Sequence, residues 1–443
     1  MPPFCEMEKP KNRHKKNQLP ADTSIDWTRY PLVRLFIPFL IGIILGHLCI
    51  IEWHWAVNPR ISILITCGLV CGQIVADYLF SKQPYRRKGI FFNLLTYIIF
   101  LLFGLTLSSN SHSKALKRYG NSLQYEIYKQ NRFQNEKALI LQQELHHRFY
   151  AGAKVWSEHR DECAVVEAMT IGWRKDLSKE IKQRYAHAGI SHYLALSGYH
   201  VGIIFLLLSY IFRHISHTFT GRNVCHVAIL LILWGYALLT GMSPSIVRAT
   251  IMCSAITIFH LLQHDIELIN ACTLAAFIIL AVDPLLISHI GFQLSFCSVY
   301  GLALMSRWIP WNFFVGGLAV CIICTVATAP LVAYHFGEVP IYGMLTNIYA
   351  TFLAPPILIL SLLWWIVTGL GHLMTPLSDG IATLLLWVTW SLNKIANCVS
   401  HLPHATLHIR LDWAEVLLCY ACIIALIRLF WRKMGAGFGF FKE

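Results

Sequence analysis

The chain holds 443 residues, of which 56% are hydrophobic and only 13% are charged, where a soluble protein of this size carries roughly 25% charged residues. Apolar stretches of roughly 20 residues recur along it, each long enough to cross a hydrocarbon core about 30 Å thick. That excludes a globular enzyme on one anchor and predicts an all-α, polytopic integral membrane protein with about ten to twelve transmembrane helices, some broken or re-entrant. The formal net charge of +13 fits both topology signals beside anionic headgroups and a polyanionic substrate, and charge alone does not separate the two.

Residues 1–34 read as a basic cytoplasmic tail carrying Lys9, Lys11, Arg13, Lys15 and Lys16, without the apolar core and cleavage site of a signal peptide. Three leading spans follow over 35–107: Leu35–Ile51, an uncleaved anchor, then Ile61–Phe80 and Ile90–Leu107. Lys82, Arg86, Arg87 and Lys88 crowd the second loop, while only Arg60 lies in the first. The positive-inside rule therefore puts the N-terminus and the second loop in the cytoplasm.

Residues 108–191 then form a short helical periplasmic insert. Tyr119 to Arg148 is rich in Gln, Glu, Lys and Leu and nearly free of Gly and Pro, a helix-forming composition. Leu177, Ile181 and Tyr185 share one face of an amphipathic helix, with Asp176 and Ser178 as candidate caps. No run of alternating strands is present, so a β-barrel insert is not expected.

From 192 to 434 the chain is nearly all membrane. The expected spans are Tyr193–Phe212, Val224–Thr240, Ser245–Leu262, Leu268–Val282, Leu285–Met305, Phe314–Tyr334, Tyr342–Gly371, Ile381–Val399 and Trp413–Trp431. Tyr342–Gly371 is too long for one simple span. Arg428, Arg432 and Lys433 place the C-terminus, with a tail at 435–443, in the cytoplasm. The 14 cysteines lie mostly inside apolar segments. Cys321-x-x-Cys324 and Cys419-x-x-Cys422 have metal or redox spacing but no accompanying His cluster, so they read as packing residues.

Polar groups in hydrocarbon are costly unless paired or wetted, so the positions that break apolar spans carry the information. The first break is His192 through His200, with Ser197, Gly198 and His200 at a helix start. It reads either as a broken helix lining a polar pathway or as a helix–helix contact. A Ser–His hydrolase lacks its acid partner and its strand–turn–helix setting. The second break is Leu239-Thr-Gly-Met-Ser-Pro-Ser-Ile-Val-Arg248, in which Ser245, Arg248, Met252 and Ala255 share a face. Arg248 either snorkels to headgroups or offers phosphate the side chain best shaped to hold it.

The third break puts His289, Gln293, Phe296 and Tyr300 on one stripe beside a small-residue seam that includes Ser295. This suits a surface over which bases slide or simple packing. The fourth is Thr328-Ala-Pro330 with His335 and Glu338. In the fifth, Asn347 and Pro355-Pro356 bracket an expected hinge or re-entrant segment, because two prolines break a long helix.

Taken in order, these stretches resemble the membrane core of the ComEC family, the bacterial competence DNA-uptake channels. The resemblance is carried by Gly189-Ile-Ser-His-Tyr-Leu-Ala-Leu-Ser-Gly-Tyr-His-Val-Gly202, Leu239-Thr-Gly-Met-Ser-Pro-Ser-Ile-Val-Arg-Ala249, Gly291-Phe-Gln-Leu-Ser-Phe296, Ala329-Pro330, Asn347 and Pro355. It covers roughly residues 165 to 430, with a weaker likeness in the leading spans. It implies a channel core at 192–434 that passes single-stranded DNA across the lipid bilayer into the cytoplasm. The matching positions Ser197, Gly198, His200, Arg248, Gln293 and Ser295 are implied pathway residues. His192, Ser245, His289 and Asn347 join them as the polar positions of the same breaks.

Family members usually carry an extracellular OB-like domain and often a metallo-β-lactamase-like nuclease domain. Here the insert is short, and the chain reaches Glu443 without a His-x-His-x-Asp-His metal motif, so neither enzymatic activity nor a cofactor is expected. There is no Walker A motif either. A channel of this kind calls for a periplasmic DNA receptor, a separate nuclease and a cytoplasmic motor. The alternatives are a reduced paralogue moving a lipid or small anion, or a structural envelope protein.

Overall fold

The computed structural model describes residues 30–51, 96–108, 111, 136–151, 155–215, 219–262, 267–306, 309–310, 312–369, 375–403 and 405–437. The basic tail up to residue 29, the expected span Ile61–Phe80, the basic loop at 82–88, the insert stretch 119–135 and the tail from 438 lie outside the described residues.

The helices, in chain order, are α1 (Pro31–Ile51), α2 (Thr96–Ser108), α3 (Glu136–Ala151), α4 (Arg160–Thr170), α5 (Lys179–His187), α6 (Gly198–Ile215) and α7 (Phe219–Leu239). They continue as α8 (Pro244–Leu261), α9 (Leu268–Val282), α10 (Ile290–Met305), α11 (Phe313–Phe336), α12 (Gly343–Gly369), α13 (Thr375–Ser400) and α14 (Trp413–Gly437). Five of them, α1, α7, α8, α11 and α12, are long and apolar enough to cross a membrane, and α2, α6, α9 and α10 are apolar but shorter.

α1 starts at Pro31, ahead of the expected Leu35, because proline suits a first helical turn where its missing N–H costs nothing. It packs on α2 through Gly42-x-x-x-Gly46. A Cβ on Gly42 would collide with the Leu101 carbonyl, and one on Gly104 with the Phe39 carbonyl, so the two backbones touch. Arg34 on α1 donates to the Tyr97 hydroxyl on α2 at 2.9 and 3.1 Å. Phe39, fully buried, then carries this pair onto α9 through Phe277, with ring centroids 4.6 Å apart.

A second core joins the amphipathic insert helices to α12 and α13. Leu177, Ile181 and Tyr185 are all buried there, as their spacing predicted. Ser178, not Asp176, is the cap of α5, its oxygen accepting from the Ile181 amide at 3.2 Å. Tyr185 donates to Asn393 Oδ1 on α13 at 2.7 Å.

Three expectations need correction. The span expected from Leu285 splits into a 3₁₀ turn (Pro284–Ser288) and α10, since the backbone turns extended at His289, whose side chain caps the start of α10. The hinge or re-entrant segment expected between Asn347 and Pro355 is absent, because α12 is one unbroken helix containing both prolines. Finally, the all-α expectation missed a ribbon in which Glu338–Pro340 (β1) pairs antiparallel with Thr406–His408 (β2). Strands this short show no readable alternation. Cys321 and Cys324 on α11, like Cys419 and Cys422 on α14, are unbridged.

Overpacking the α1–α2 contact is expected to cost about 1–3 kcal/mol. Gly42→Leu should therefore lower the thermal midpoint of the detergent-purified protein, whereas Gly380→Ala, where a Cβ meets nothing within 4 Å, should not lower it.

Candidate functional site

The first break is real and local. A single turn at Ser191–Leu194 ends, the backbone leaves helical geometry at Ala195, and α6 restarts at Gly198. Ser197 is thus the residue before the helix, and His200 sits in its first turn. His200 Nδ1 accepts the Ser197 amide N–H at 3.2 Å and lies 2.9 Å from Ser197 Oγ. This is one half of a capping box, the side chain three residues in accepting the amide before the helix, with histidine where a glutamate or glutamine usually stands. Because Nδ1 accepts, the ring proton of the neutral imidazole belongs on Nε2. His200 is fully buried, and Nε2 has no hydrogen-bond partner among the described residues.

Gly198 brings α6 against α8, since a Cβ there would lie 3.3 Å from Ala249 Cβ. The break thus holds a helix contact at Gly198 and a buried donor at His200 with no partner among the described residues. His192 is exposed, on the turn before the break.

Two tyrosines of the same break reach α12. Tyr199 donates from its hydroxyl to the Thr351 carbonyl at 2.8 Å, and the Tyr193 hydroxyl lies 2.9 Å from Thr351 Oγ1. Pro355 cannot supply the amide that would normally bond the Thr351 carbonyl four residues back. Tyr199 supplies that donor instead, so the carbonyl freed by Pro355 is satisfied within the unbroken α12. Sequence reasoning missed Tyr193, Tyr199 and Thr351. The available signal was Pro355, which frees a carbonyl at a known offset.

α8 starts with Pro244 in its first turn and a half-buried Ser245 beside it. Arg248, one turn in, is 5% exposed. Its guanidinium makes no hydrogen bond or ion pair with any described residue. Nη2 comes within 3.3 Å of where a Gly291 Cβ would stand, so glycine at that position admits it. Arg248 therefore turns inward onto the first turn of α10, and snorkelling does not describe it. There it adjoins His289, whose Nδ1 accepts the Gly291 amide at 3.1 Å. A cation at the positive end of a helix is unfavourable, and both charges favour an anion at that place.

Gln293 is engaged on both sides: Nε2 donates to the Ile287 carbonyl at 2.9 Å, and Oε1 lies 2.9 Å from His335 Nε2. Phe296 is buried against Phe292, with centroids 4.4 Å apart, in the core shared with α1. Tyr300 bonds Thr273 on α9 at 3.0 Å. Three of the stripe's side chains thus serve packing, and no open aromatic platform is formed by them. Ser295 is half-buried on the same helix. Asn347, one turn before Thr351 on α12, leaves Oδ1 buried without a partner.

The structure thus unites Arg248 with Gly291 and His289, and unites Ser197, Gly198 and His200 on α6 against the residue next to Arg248. Gln293 belongs to a separate, satisfied network. Of the site residues, two donors, His200 Nε2 on α6 and Arg248 Nε on α8, and one acceptor, Asn347 Oδ1 on α12, are buried without a partner among the described residues, as are the hydroxyls of Ser243, Thr250 and Ser254 at and along α8.

Residues 169–435, more than half of the chain, match the sequence profile of the family described as "Competence protein". Among curated proteins, ComE operon protein 3 of Bacillus subtilis (strain 168) is 29% identical over 244 residues, 54% of this chain and 31% of that protein. The uncharacterized protein YcaI of Escherichia coli (strain K12) is 26% identical over 288 residues, 56% of this chain and 36% of that protein. An uncharacterized protein of Aquifex aeolicus (strain VF5) is 26% identical over 180 residues, 40% of this chain and 41% of that protein. The aligned region spans from 31% to 41% of the length of these relatives. No solved structure matches the chain.

Removing the Tyr199 hydroxyl leaves the Thr351 carbonyl orphaned, which costs about 1–3 kcal/mol. Tyr199→Phe should lower the unfolding midpoint by a corresponding amount. In a Pro355→Ala background the restored amide bonds that carbonyl, so the cost of Tyr199→Phe should shrink by about half or more in a double-mutant cycle.

Proposed function

Because this chain belongs to the competence protein family, we propose that its helices form an inner-membrane core through which one DNA strand passes into the cytoplasm. The reading rests on one observation: a guanidinium 5% exposed, on an apolar helix, with no partner among the described residues. Burying an arginine deep in the membrane costs about 3 kcal/mol on insertion scales. A sequence keeps such a group without a carboxylate when its partner arrives from outside. Phosphates passing one at a time are such partners, and a guanidinium can grip each one through two hydrogen bonds. His200 Nε2 and Asn347 Oδ1, on helices packed beside α8 or α6, add polar contacts.

Grip must be weak enough to release, so one deep cation is better suited to conduction than a cluster. The core conducts and carries out no covalent chemistry. A DNA receptor delivers the strand, a motor supplies energy, and strand cleavage falls to a nuclease site outside these helices. The distribution of Lys and Arg supports a cytoplasmic side for both termini.

The same guanidinium would also hold a lipid phosphate or a small anion, which is the second reading. In a transformable host, Arg248→Ala at normal protein level should reduce uptake of labelled DNA by about tenfold or more, with Arg248→Lys in between. Unchanged uptake removes Arg248 from the route. If deleting the gene leaves transformation intact but alters lipid or anion content, the second reading replaces the first. Reporter fusions at the two ends should both score as cytoplasmic, and a periplasmic signal from either overturns the orientation.

A further inference from the structure

Three metal-ligating side chains converge away from the unsatisfied groups of α6, α8 and α12. His146 on α3, Glu167 on α4 and Asp176 on the turn before α5 bring their donor atoms within 4.8 Å of one another. His146 Nδ1 lies 3.0 Å from Glu167 Oε1 and 3.2 Å from Oε2. On the other edge of the ring, Nε2 lies 3.4 Å from Asp176 Oδ2. A neutral imidazole has one N–H and can donate to only one of these carboxylates, so the other faces a lone pair.

Two carboxyl groups share one imidazole in the cluster. Glu167 is fully buried, and both of its carboxyl oxygens lie within 3.2 Å of His146 Nδ1. Lys175, the adjacent cation, lies 4.7 Å above the Trp173 ring.

The surroundings orient the three groups as an outer shell orients metal ligands. Trp173 stacks on His146, with centroids 4.4 Å apart and planes 18° apart. Its Nε1 donates to Asp176 Oδ2 at 3.0 Å. Gln142, one turn before His146, donates to the Ile171 carbonyl at 2.6 Å and holds α3 in place independently. Asp176, 39% exposed at its side chain, leaves a way in from solvent.

We propose that His146, Glu167 and Asp176 bind a divalent transition-metal ion of the Zn²⁺ or Mn²⁺ class. One imidazole nitrogen and two carboxylate oxygens ligate it, and water completes the shell. Two positive charges then answer two buried or half-buried carboxylates, and the imidazole coordinates through a lone pair without needing a second proton. The ion would fasten α3, which precedes the family-matched region, to the start of that region. This inference is independent of what passes through the core.

The test uses the full chain purified in detergent, stripped with a chelator and dialysed against Zn²⁺ or Co²⁺. It is run beside Glu167→Gln and His146→Gln, each checked for the same monodisperse elution. Wild type should retain about one equivalent of Zn²⁺ more than either variant. Co²⁺ should give ligand-field absorption bands in wild type that both variants lack. Zn²⁺ should raise the thermal midpoint of wild type but not of Glu167→Gln. Equal metal content and identical Co²⁺ spectra in all three proteins would overturn the proposal and leave a proton on His146 as the bridge.

Discussion

A backbone carbonyl inside a membrane core must find a donor, and Pro355 takes one away. The Thr351 carbonyl is left without its helical amide, and the Tyr199 hydroxyl fills the place at 2.8 Å. Much else depends on this one bond. It satisfies the carbonyl that Pro355 frees within the unbroken α12 and anchors the first turn of α6 on α12. With α6 anchored there, Gly198 meets Ala249 of α8, and the His200 ring folds back onto Ser197. A broken helix and an unbroken proline-containing helix are thus two sides of one contact, each removing a polar cost from the other.

Similar accounting sorts the polar residues of the core. Gln293, Tyr300, Tyr193 and Tyr199 find protein partners across helices, and their role is to hold helices at fixed distances. Arg248, His200 Nε2 and Asn347 Oδ1 do not. Burying an unpaired polar group costs on the order of a few kcal/mol, more for a charge. Such groups persist where an external partner meets them. Arg248 is the strongest case, because the positive end of α10 beneath it adds to the unfavourable field that an anion would relieve.

Polar groups gather in unusual settings at two places. At Arg248 a cation lies among helices with no anion among the described residues. At His146, Glu167 and Asp176, two carboxyl groups share one imidazole. The first place lies within the family-matched region. The second straddles the beginning of the family-matched region, with Glu167 just before it and Asp176 within it.

By itself, the sequence determined that this is a helical membrane chain, because apolar run length answers directly to bilayer thickness. It located the breaks at Ser197, Pro244 and Pro284, because Gly, Pro and small polar residues act on the backbone within one turn. It also showed Leu177, Ile181 and Tyr185 on one buried face, since a period of 3.6 is a local property. Tertiary structure alone decided whether each break was satisfied. Pro355 did not break α12, since its remedy lay on Tyr199, far away in sequence. Gln293 and Arg248 looked alike as polar residues in apolar helices, yet one bonds to His335 and the other to no described residue. Hydrogen-bond satisfaction across helices is a relation between distant residues, and neither local composition nor periodicity encodes it.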